Sequence, residues 1–366
     1  MDQFYGSEYF RQRLILATLS GKSIQISKIR LKEEHPGLVD YEVSFLQLLE
    51  ALTNGTSIAI DETGTQVTYR PGLLTGGDVV LDCPPSRSVS YYLEAILFLA
   101  AFVKKPLNVV LRGITNDDVD PSVDSIKHAS LPVLQKFLGT DEGLELKISK
   151  RGLSPNGGGE VHFSCPCRLK LRPFQQKDAG IIKSIRGVAY ACKVSPTMGN
   201  RVGEAAKSKL KEFVADIYVY TDHCKGPKSG LSPGFGITLI AESTTGVRYA
   251  IDVASSVPGS GRPPSVPEDL GEKAADLLLE EIYRGGCVGM VNQSLALLLM
   301  ALGQSDVSKV EMGSLSPFSI QFLRYLRDFF GVVFRISQET DGAKSDGCAI
   351  FTCVGIGYSN INKTVA

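Results

Sequence analysis

A turn-then-strand phrase occurs twice in this chain. It reads first Pro71-Gly72-Leu73-Leu74-Thr75-Gly76-Gly77-Asp78-Val79-Val80-Leu81 and then Pro155-Asn156-Gly157-Gly158-Gly159-Glu160-Val161-His162-Phe163. Gly77 and Gly159 are 82 residues apart (159 − 77). A weaker third copy, Asp346-Gly347-Cys348-Ala349-Ile350-Phe351, has its Gly347 a further 188 residues on, which is one period plus 106 (188 − 82). Recurrence at a fixed spacing is the mark of one supersecondary unit used several times. The arithmetic predicts three similar units, with an insert inside or before the third.

Apolar periodicity fills these units with alternating strands and helices. The first reads as a strand over 24–31, a helix over 39–52, strands over 57–61, 66–70 and 79–82, and a helix over 87–103. The second repeats the order, with a strand over 107–112, a helix over 122–137, and strands over 144–149 and 160–164. The third reads as helices over 269–283 and 291–302, a strand over 309–312, a helix over 317–330, and strands over 332–337 and 348–354. The insert has a strand over 185–193, a helix over 196–214, a strand over 217–221 and two strands flanking Thr244-Thr245-Gly246. Pro258-Gly259-Ser260-Gly261-Arg262-Pro263-Pro264 then reads as a linker. The expected class is α/β (α+β): three repeated βαβαββ-like units form a large domain that carries a smaller inserted α/β domain. The expected limits are 1–184 for units one and two, 185–267 for the insert and 268–366 for unit three.

Composition narrows what such a chain can do. With 39 Lys+Arg against 39 Asp+Glu and 43% hydrophobic residues, it is neither disordered nor a basic nucleic-acid arm. Any anion site must be a local patch. The longest apolar runs, Ala95 to Val103 and Leu295 to Leu302, are nine and eight residues, far below the ~20 of a membrane span. The first ten residues carry no basic n-region and no apolar h-region, so an intracellular protein is expected. Eight Cys without paired C-x-x-C spacing read as reduced structural thiols, and the glycosylation patterns at Asn54 and Asn362 carry no weight in that setting.

Candidate chemistry is sparse. Neither Gly76-Gly77 nor Gly157-Gly158-Gly159 leads into a helix with Lys and Ser/Thr, so both read as turns that need positive φ rather than as phosphate cradles. The four His (His35, His128, His162 and His223) do not cluster, and none follows residue 223. Asp117-Asp118, with Asp120, reads as a solvated turn, with Mg²⁺ binding as the sharper alternative. Arg327-Asp328 reads as the polar edge of an amphipathic helix, and also as an outside candidate for phosphodiester chemistry. Basic residues gather at Arg11 and Arg13, at Lys28 and Arg30, at Lys147, Lys150 and Arg151, and at Lys225 and Lys228. Near the last helix, Phe318, Phe322, Tyr325, Arg327 and Asp328 read either as a core face or as a mixed apolar and charged docking surface.

Five phrases in order resemble the RNA 3′-terminal phosphate cyclase family. They are Lys28-Ile29-Arg30 with Pro36-Gly37-Leu38, Tyr69-Arg70-Pro71-Gly72 with Gly76-Gly77-Asp78, Arg112-Gly113-Ile114-Thr115-Asn116, Pro155 to Glu160, and Gly289 to Gly303 with Asn292-Gln293. The start, Phe10-Arg11-Gln12-Arg13-Leu14 and Leu16 to Lys22, resembles the eukaryotic cyclase-like branch. The resemblance implies a large domain of three repeated units, similar to the C-terminal domain of a bacterial translation initiation factor, plus a small inserted domain.

Departures from the family pattern bear on function. Cyclases use a His just before the helix corresponding to Phe318 to Phe330 as the nucleophile that takes AMP from ATP; Leu315 or Ser316 stands at about that place here. Leu cannot react, and Ser would give a stable ester. Asn292-Gln293 replaces the family's Asp-Gln, removing a charge suited to metal. With Gly6-Ser7 on the family's opening Gly-Ser, Arg11 and Arg13 fall on glycine positions. Arg30 matches a family active-site Arg, while Glu33 and Ala17 stand where cyclases have others. The resemblance therefore implies a cyclase-like protein without cyclase activity, without cofactor or metal, and with a residual anion or RNA site at Arg11, Arg13, Arg30 and Arg70. It further implies early pre-rRNA processing for 18S rRNA and 40S subunits in the nucleolar small-subunit processome. The implied partners are a large ribosome-biogenesis GTPase and, directly or indirectly, small nucleolar RNP and pre-rRNA. A pre-rRNA endonuclease is the rival expectation, and an active cyclase the last.

Overall fold

The computed structural model describes residues 1–139, 142–167, 171–257, 259–338 and 347–358. In chain order the first unit is β1 (Asp2–Tyr5), α1 (Phe10–Ser20), β2 (Ile24–Ser27), α2 (Asp40–Leu52), the short β3 (Thr53–Asn54), β4 (Ser57–Ile60), β5 (Val67–Arg70) and the short β6 (Leu73–Leu74). The second is β7 (Gly77–Asp82), α3 (Val89–Ala100), β8 (Leu107–Gly113), α4 (Val123–Ser125), a π-helical stretch Ile126–Ser130, α5 (Leu131–Leu138), β9 (Glu145–Lys150) and β10 (Gly159–Cys165). The third opens with β11 (Gln175–Gln176) and is then interrupted by β12 (Ile182–Cys192), α6 (Pro196–Leu210), β13 (Ile217–Cys224), β14 (Gly234–Ser243), β15 (Arg248–Ala254) and α7 (Pro267–Arg284). It resumes with α8 (Gln293–Leu302), β16 (Val307–Met312), α9 (Pro317–Phe330), β17 (Arg335–Ser337) and β18 (Ala349–Val354).

Three four-stranded sheets repeat one topology: β1-β2-β5-β4, β7-β8-β10-β9 and β11-β16-β18-β17. In each, the first pair is parallel and the other two are antiparallel. The mixed α/β class and the repeated βαβαββ unit are as expected, and the insert lies inside unit three, between its first strand and its first helix.

The spacing that led to this division joined unlike elements. Gly77 opens the first strand of unit two, whereas Gly159 opens the fourth. Fourth strands begin at Val67, Gly159 and Ala349, at intervals of 92 (159 − 67) and 190 (349 − 159). The second and third copies of the phrase are therefore equivalent, and the first is not. Both strands follow a glycine turn and bury alternate residues, so the period-2 pattern cannot tell a first strand from a fourth. Asp346, which starts the third copy, lies outside the described residues, as does Asn362.

The apolar runs become the middle of the molecule. Among the first helices of the units, α8 buries all ten of its residues, and α1 and α3 bury nearly all of theirs. These three pack in the sequence α1, α3, α8, while the second helices α2, α5 and α9 are amphipathic and cover them. No helix among the described residues is long and apolar enough to cross a membrane.

The insert has its own sheet, in the order β13-β12-β14-β15, with α6 and α7 on one face. Helix α7, expected to open unit three, belongs against this sheet. A Cβ on Gly271 would sit 2.3 Å from the Val202 carbonyl oxygen, so glycine is what lets α7 lie this close to α6. Arg201–Glu268 at 2.6 Å and Lys209–Asp276 at 2.6 Å clasp the two helices outside. The stretch 259–264, read as a linker out of the insert, joins β15 to α7 within it; Pro258 lies outside the described residues.

The helix expected over 122–137 is broken for a chemical reason. Pro132 has no N–H to give to the His128 carbonyl, and the chain widens into a π turn there. The freed carbonyl instead accepts Arg248 Nη1 from the insert at 3.2 Å.

Candidate functional site

The four expected anion residues lie in unit one, and two of them, Arg11 and Arg30, already have their charge matched by carboxylates. Arg30 grips Glu42 with both ends of its guanidinium, at 2.7 and 2.8 Å, and Glu42 also accepts the Val39 N–H that opens α2. This geometry holds Arg30 at φ +45°, a left-handed conformation that a side chain rarely adopts. Arg11 gives Nη2 to Glu94 at 2.7 Å and Nη1 to the Tyr91 carbonyl at 2.5 Å. Arg87, which no motif singled out, binds Asp120 at 2.6 and 2.9 Å.

Tyrosine rings stack between these guanidinium groups. Arg11 lies 4.6 Å and Arg87 4.8 Å from the Tyr91 ring, Arg87 also lies 5.3 Å from Tyr41, and Arg30 reaches the Tyr41 hydroxyl at 3.4 Å. The result is a layered series in which three arginines carry three carboxylates. Burial opposes the charge of Arg11, yet Glu94 with Tyr91 and Asp120 more than offsets it and its pKa is raised; for Arg30 the hydrogen bond it donates to Glu42 is the main cause of the same direction.

Arg13 is one of two that are not paired. It is 6% exposed and has no carboxylate partner among the described residues. It donates to Tyr325 Oη at 3.0 Å and to the carbonyls of Tyr5 and Gly6 at 3.2 and 2.9 Å, with the Phe4 ring 5.1 Å away. These contacts fasten the turn after β1 to α9. Arg70 is exposed on β5 and likewise lacks a carboxylate among the described residues; no contact joins it to Arg13 or Arg30.

Leu315 and Ser316 are both taken up by structure. Ser316 is the N-cap of α9, its Oγ accepting the Ser319 N–H at 3.1 Å and meeting Ser319 Oγ at 3.0 Å. Leu315 is half-buried against the core. Gln293 staples the loop, donating Nε2 to the Ser314 carbonyl at 3.2 Å and accepting the Ser316 N–H at 3.4 Å, and Asn292 is buried where α8 begins. Both amide atoms of Gln12 and the hydroxyls of Ser90 and Ser294 are buried without a partner among the described residues. They sit on the first turns of the three central helices.

Other candidates resolve differently. Arg327 and Asp328 are both exposed and pair with each other at 3.2 Å, while Lys22 Nζ binds the Asp328 carbonyl. Phe322 and Tyr325 are core residues and Phe318 is partly exposed, so the mixed surface reduces to Phe318, Arg327 and Asp328. Asp117 Oδ1 accepts the N–H groups of Val119 and Asp120 at 3.1 and 2.9 Å, the expected turn. Its carboxyl is pushed up to about 6 by burial. This loop borders a cleft of about 800 Å³ shared with β15, the 262–266 stretch and α7, whose lining includes Asp118, Asp252 and Asp269 with Arg262 and Lys273. His162 pairs with Glu160 on an open strand, and His128 lies in the π turn, its pKa lowered by burial. Lys147 and Lys150 are strand residues, but Arg151 is not surface charge. It is 4% exposed and binds Asp124, Asn116 and Asp222, tying unit two to the insert.

The family profile described as RNA 3'-terminal phosphate cyclase matches residues 2–336. The chain belongs to the RNA 3'-terminal phosphate cyclase family. Within it, the chain is 54% identical over 364 residues to the RNA 3'-terminal phosphate cyclase-like protein of Homo sapiens, covering 99% of this chain and 97% of that one. It is 41% identical over 368 residues to the rRNA processing protein rcl1 of Schizosaccharomyces pombe, covering 100% and 98%. Among solved structures, the EPSP synthase of Acinetobacter baumannii matches with a TM-score of 0.29 at 10% identity, covering 97% of this chain and 64% of that one; a score so low carries no argument. In this family's frame, Glu42, Glu94, Arg87 and the two tyrosines are what sequence reasoning missed. Single acids and tyrosines on helices give no signal until the fold brings them to the arginines.

Proposed function

We propose that this chain acts in early pre-rRNA processing for 18S rRNA and the small ribosomal subunit, in the nucleolus, as a cyclase-like protein that does not cyclise RNA ends. Its work there is binding: it docks a large ribosome-biogenesis GTPase within the small-subunit processome. Support for the pathway comes from the full-length likeness to a protein named for rRNA processing. The observation that carries the loss of cyclase chemistry is Ser316, whose hydroxyl is engaged as the cap of α9 where the family places its nucleophile. A phosphoramidate needs an imidazole nitrogen, and the sequence after residue 223 contains no His.

The rival reading, cleavage of pre-rRNA by the chain itself, needs a proton-transfer group beside the scissile phosphate. Arg327 and Asp328 instead neutralise each other on an open helix surface. Depleting the protein from its own cells is expected to reduce 18S rRNA while precursor accumulates, and a copy carrying R327A/D328A is expected to restore it. In pull-downs, the GTPase should be retained after nuclease treatment. A complex that forms only when RNA is added would sink the docking role, and in-vitro cleavage abolished by R327A/D328A would establish the rival.

A further inference from the structure

Strand β13 is the edge of the insert's sheet, and alternate residues on it face opposite ways. Its Ile217 and Val219 face α6, as the contact of Val219 with the α6 glycine Gly203 requires. Tyr218 and Tyr220 therefore stand together on the other face, where they are 63% and 55% exposed. Neither hydroxyl has a hydrogen-bond partner among the described residues, and neither ring stacks on another. Two large aromatics left bare side by side on one strand contribute nothing to the core. Unit two covers that face of the sheet only farther along. Ser122 meets Thr238 and Asp252, and Arg248 meets the His128 carbonyl, all at β14 and β15, while Arg151 closes off the end of β13 at Asp222.

Cations lie beside the rings and beyond the end of their strand. The insert as a whole, residues 182–284, is nearly neutral, with thirteen Lys or Arg against twelve Asp or Glu (13 − 12 = +1), and two of the α6 cations are paired by α7 acids, so the charge available to the rings is that of the few cations beside and beyond β13. Arg186 is the register partner of Tyr218 on β12 and shares its face; its own partner, Asp216, is as exposed as it is, a pairing that is weak in water. Beyond the strand's other end, Lys225 and Lys228 are exposed with no carboxylate partner among the described residues. In unit one and at its border, by contrast, Arg11, Arg30 and Arg87 are matched by carboxylates and Arg13 is buried, which leaves Arg70 alone, and the 800 Å³ cleft nearby is lined by more acids than bases.

We propose that Tyr218 and Tyr220 are a stacking platform for single-stranded RNA, with Arg186 at one end and Lys225 and Lys228 at the other holding the phosphates. The two rings, roughly 7 Å apart along the strand, can each carry one base on an open face. Sequence-tolerant stacking with flanking cations is how sheet surfaces bind unpaired nucleotides. A β-strand of a protein partner pairing with the free edge would use backbone groups and would require neither the rings nor the lysines.

The test is fluorescence anisotropy of the full chain with a labelled uridine-rich single strand of about ten nucleotides, a length within the usual site size. Loss of both rings in Y218A/Y220A is expected to weaken binding about 30-fold or more, while Y218F/Y220F stays near wild type. K225A/K228A is expected to flatten the slope of log affinity against log salt by about 1.4, two phosphate contacts at about 0.7 each. All these positions are exposed, so thermal melting should be unchanged. Wild-type protein that binds no single strand at low salt, or Y218A/Y220A that binds as well as wild type, overturns the proposal. So does a Y218A/Y220A variant that loses a protein partner and keeps RNA. None of these outcomes touches the rRNA-processing reading, which fails separately if depletion leaves 18S rRNA intact.

Discussion

Replacing Arg151 by Met should loosen the joint between unit two and the insert more than any other single surface-distant change. The guanidinium binds Asp124 at 2.5 and 3.2 Å, Asn116 at 2.9 Å and Asp222 at 3.0 and 3.2 Å, and lies 4.9 Å from the Tyr190 ring. Asp124 is as deeply buried as Arg151, so R151M strands its carboxylate with Asn116 alone. Orphaning one member of a buried pair costs about 3–5 kcal/mol, and the desolvated ring contact about 1–2. The exposed side of the network, Asp222, adds under about 1 kcal/mol. Because these overlap, about 4–5 kcal/mol is expected at pH 7. R151M/D124N removes both charges and should cost only about 1–2 kcal/mol, a coupling of about 3. Burial alone would raise the Asp124 pKa, but Arg151 more than reverses this and holds it low. That stabilisation is present above the ordinary carboxyl pKa and is lost as pH falls through the depressed one, whereas the stranded Asp124 of R151M simply protonates. The gap between wild type and variant should therefore narrow as pH falls toward 4. Urea unfolding, with hydrogen exchange at β12 and β13, reads both quantities. An R151M penalty under about 1 kcal/mol, or a double variant as unstable as R151M, would refute the reasoning.

Glu42→Gln leaves Arg30 with only the exposed Glu33 carboxylate at 3.8 Å, so it should lose about 2–4 kcal/mol in denaturant and, unlike wild type, gain back stability when sulfate replaces chloride. Ser316→Ala removes the cap of α9 and is expected to cost about 1 kcal/mol, measured by thermal unfolding. Asp117, pushed up to about 6 by burial, contributes stability that is complete below its ordinary pKa and lost as pH rises through 6. Asp117→Asn keeps the turn's acceptor without titrating, so it should match wild type near pH 4 and exceed it at pH 8 by on the order of 1–3 kcal/mol; equal curves would contradict the burial of that carboxyl.

Much of the fold was legible because helix and strand periods are local. The helix over 317–330 agrees to the residue with α9, and the glycines at 76, 77, 157 and 158 take the positive φ that their turns were read to need. Short or atypical elements were not legible. Helix α1 is apolar on almost every side and carries buried Gln12 and Arg13, so it has no amphipathic stripe to find, and β11 is two residues long. The place of α7 was missed because its apolar face fits either domain, and only Gly271 against Val202 decides which. At the site, the positions of Leu315, Ser316, Asn292 and Gln293 could be read in order along the chain. What could not be read is pairing across it: Arg30 to Glu42 is twelve residues apart, but Arg11 to Glu94 is 83 and Arg13 to Tyr325 is 312.

The proposed function rests above all on the loss of covalent AMP transfer. The direct measurement incubates purified protein with α-phosphate-labelled ATP, with and without an RNA carrying a 3′-phosphate, and looks for label on the protein and for a cyclic end on the RNA. The account predicts neither, in wild type and in Ser316→Ala alike. Stoichiometric AMP bound covalently to any residue, or a cyclised RNA end, would contradict it.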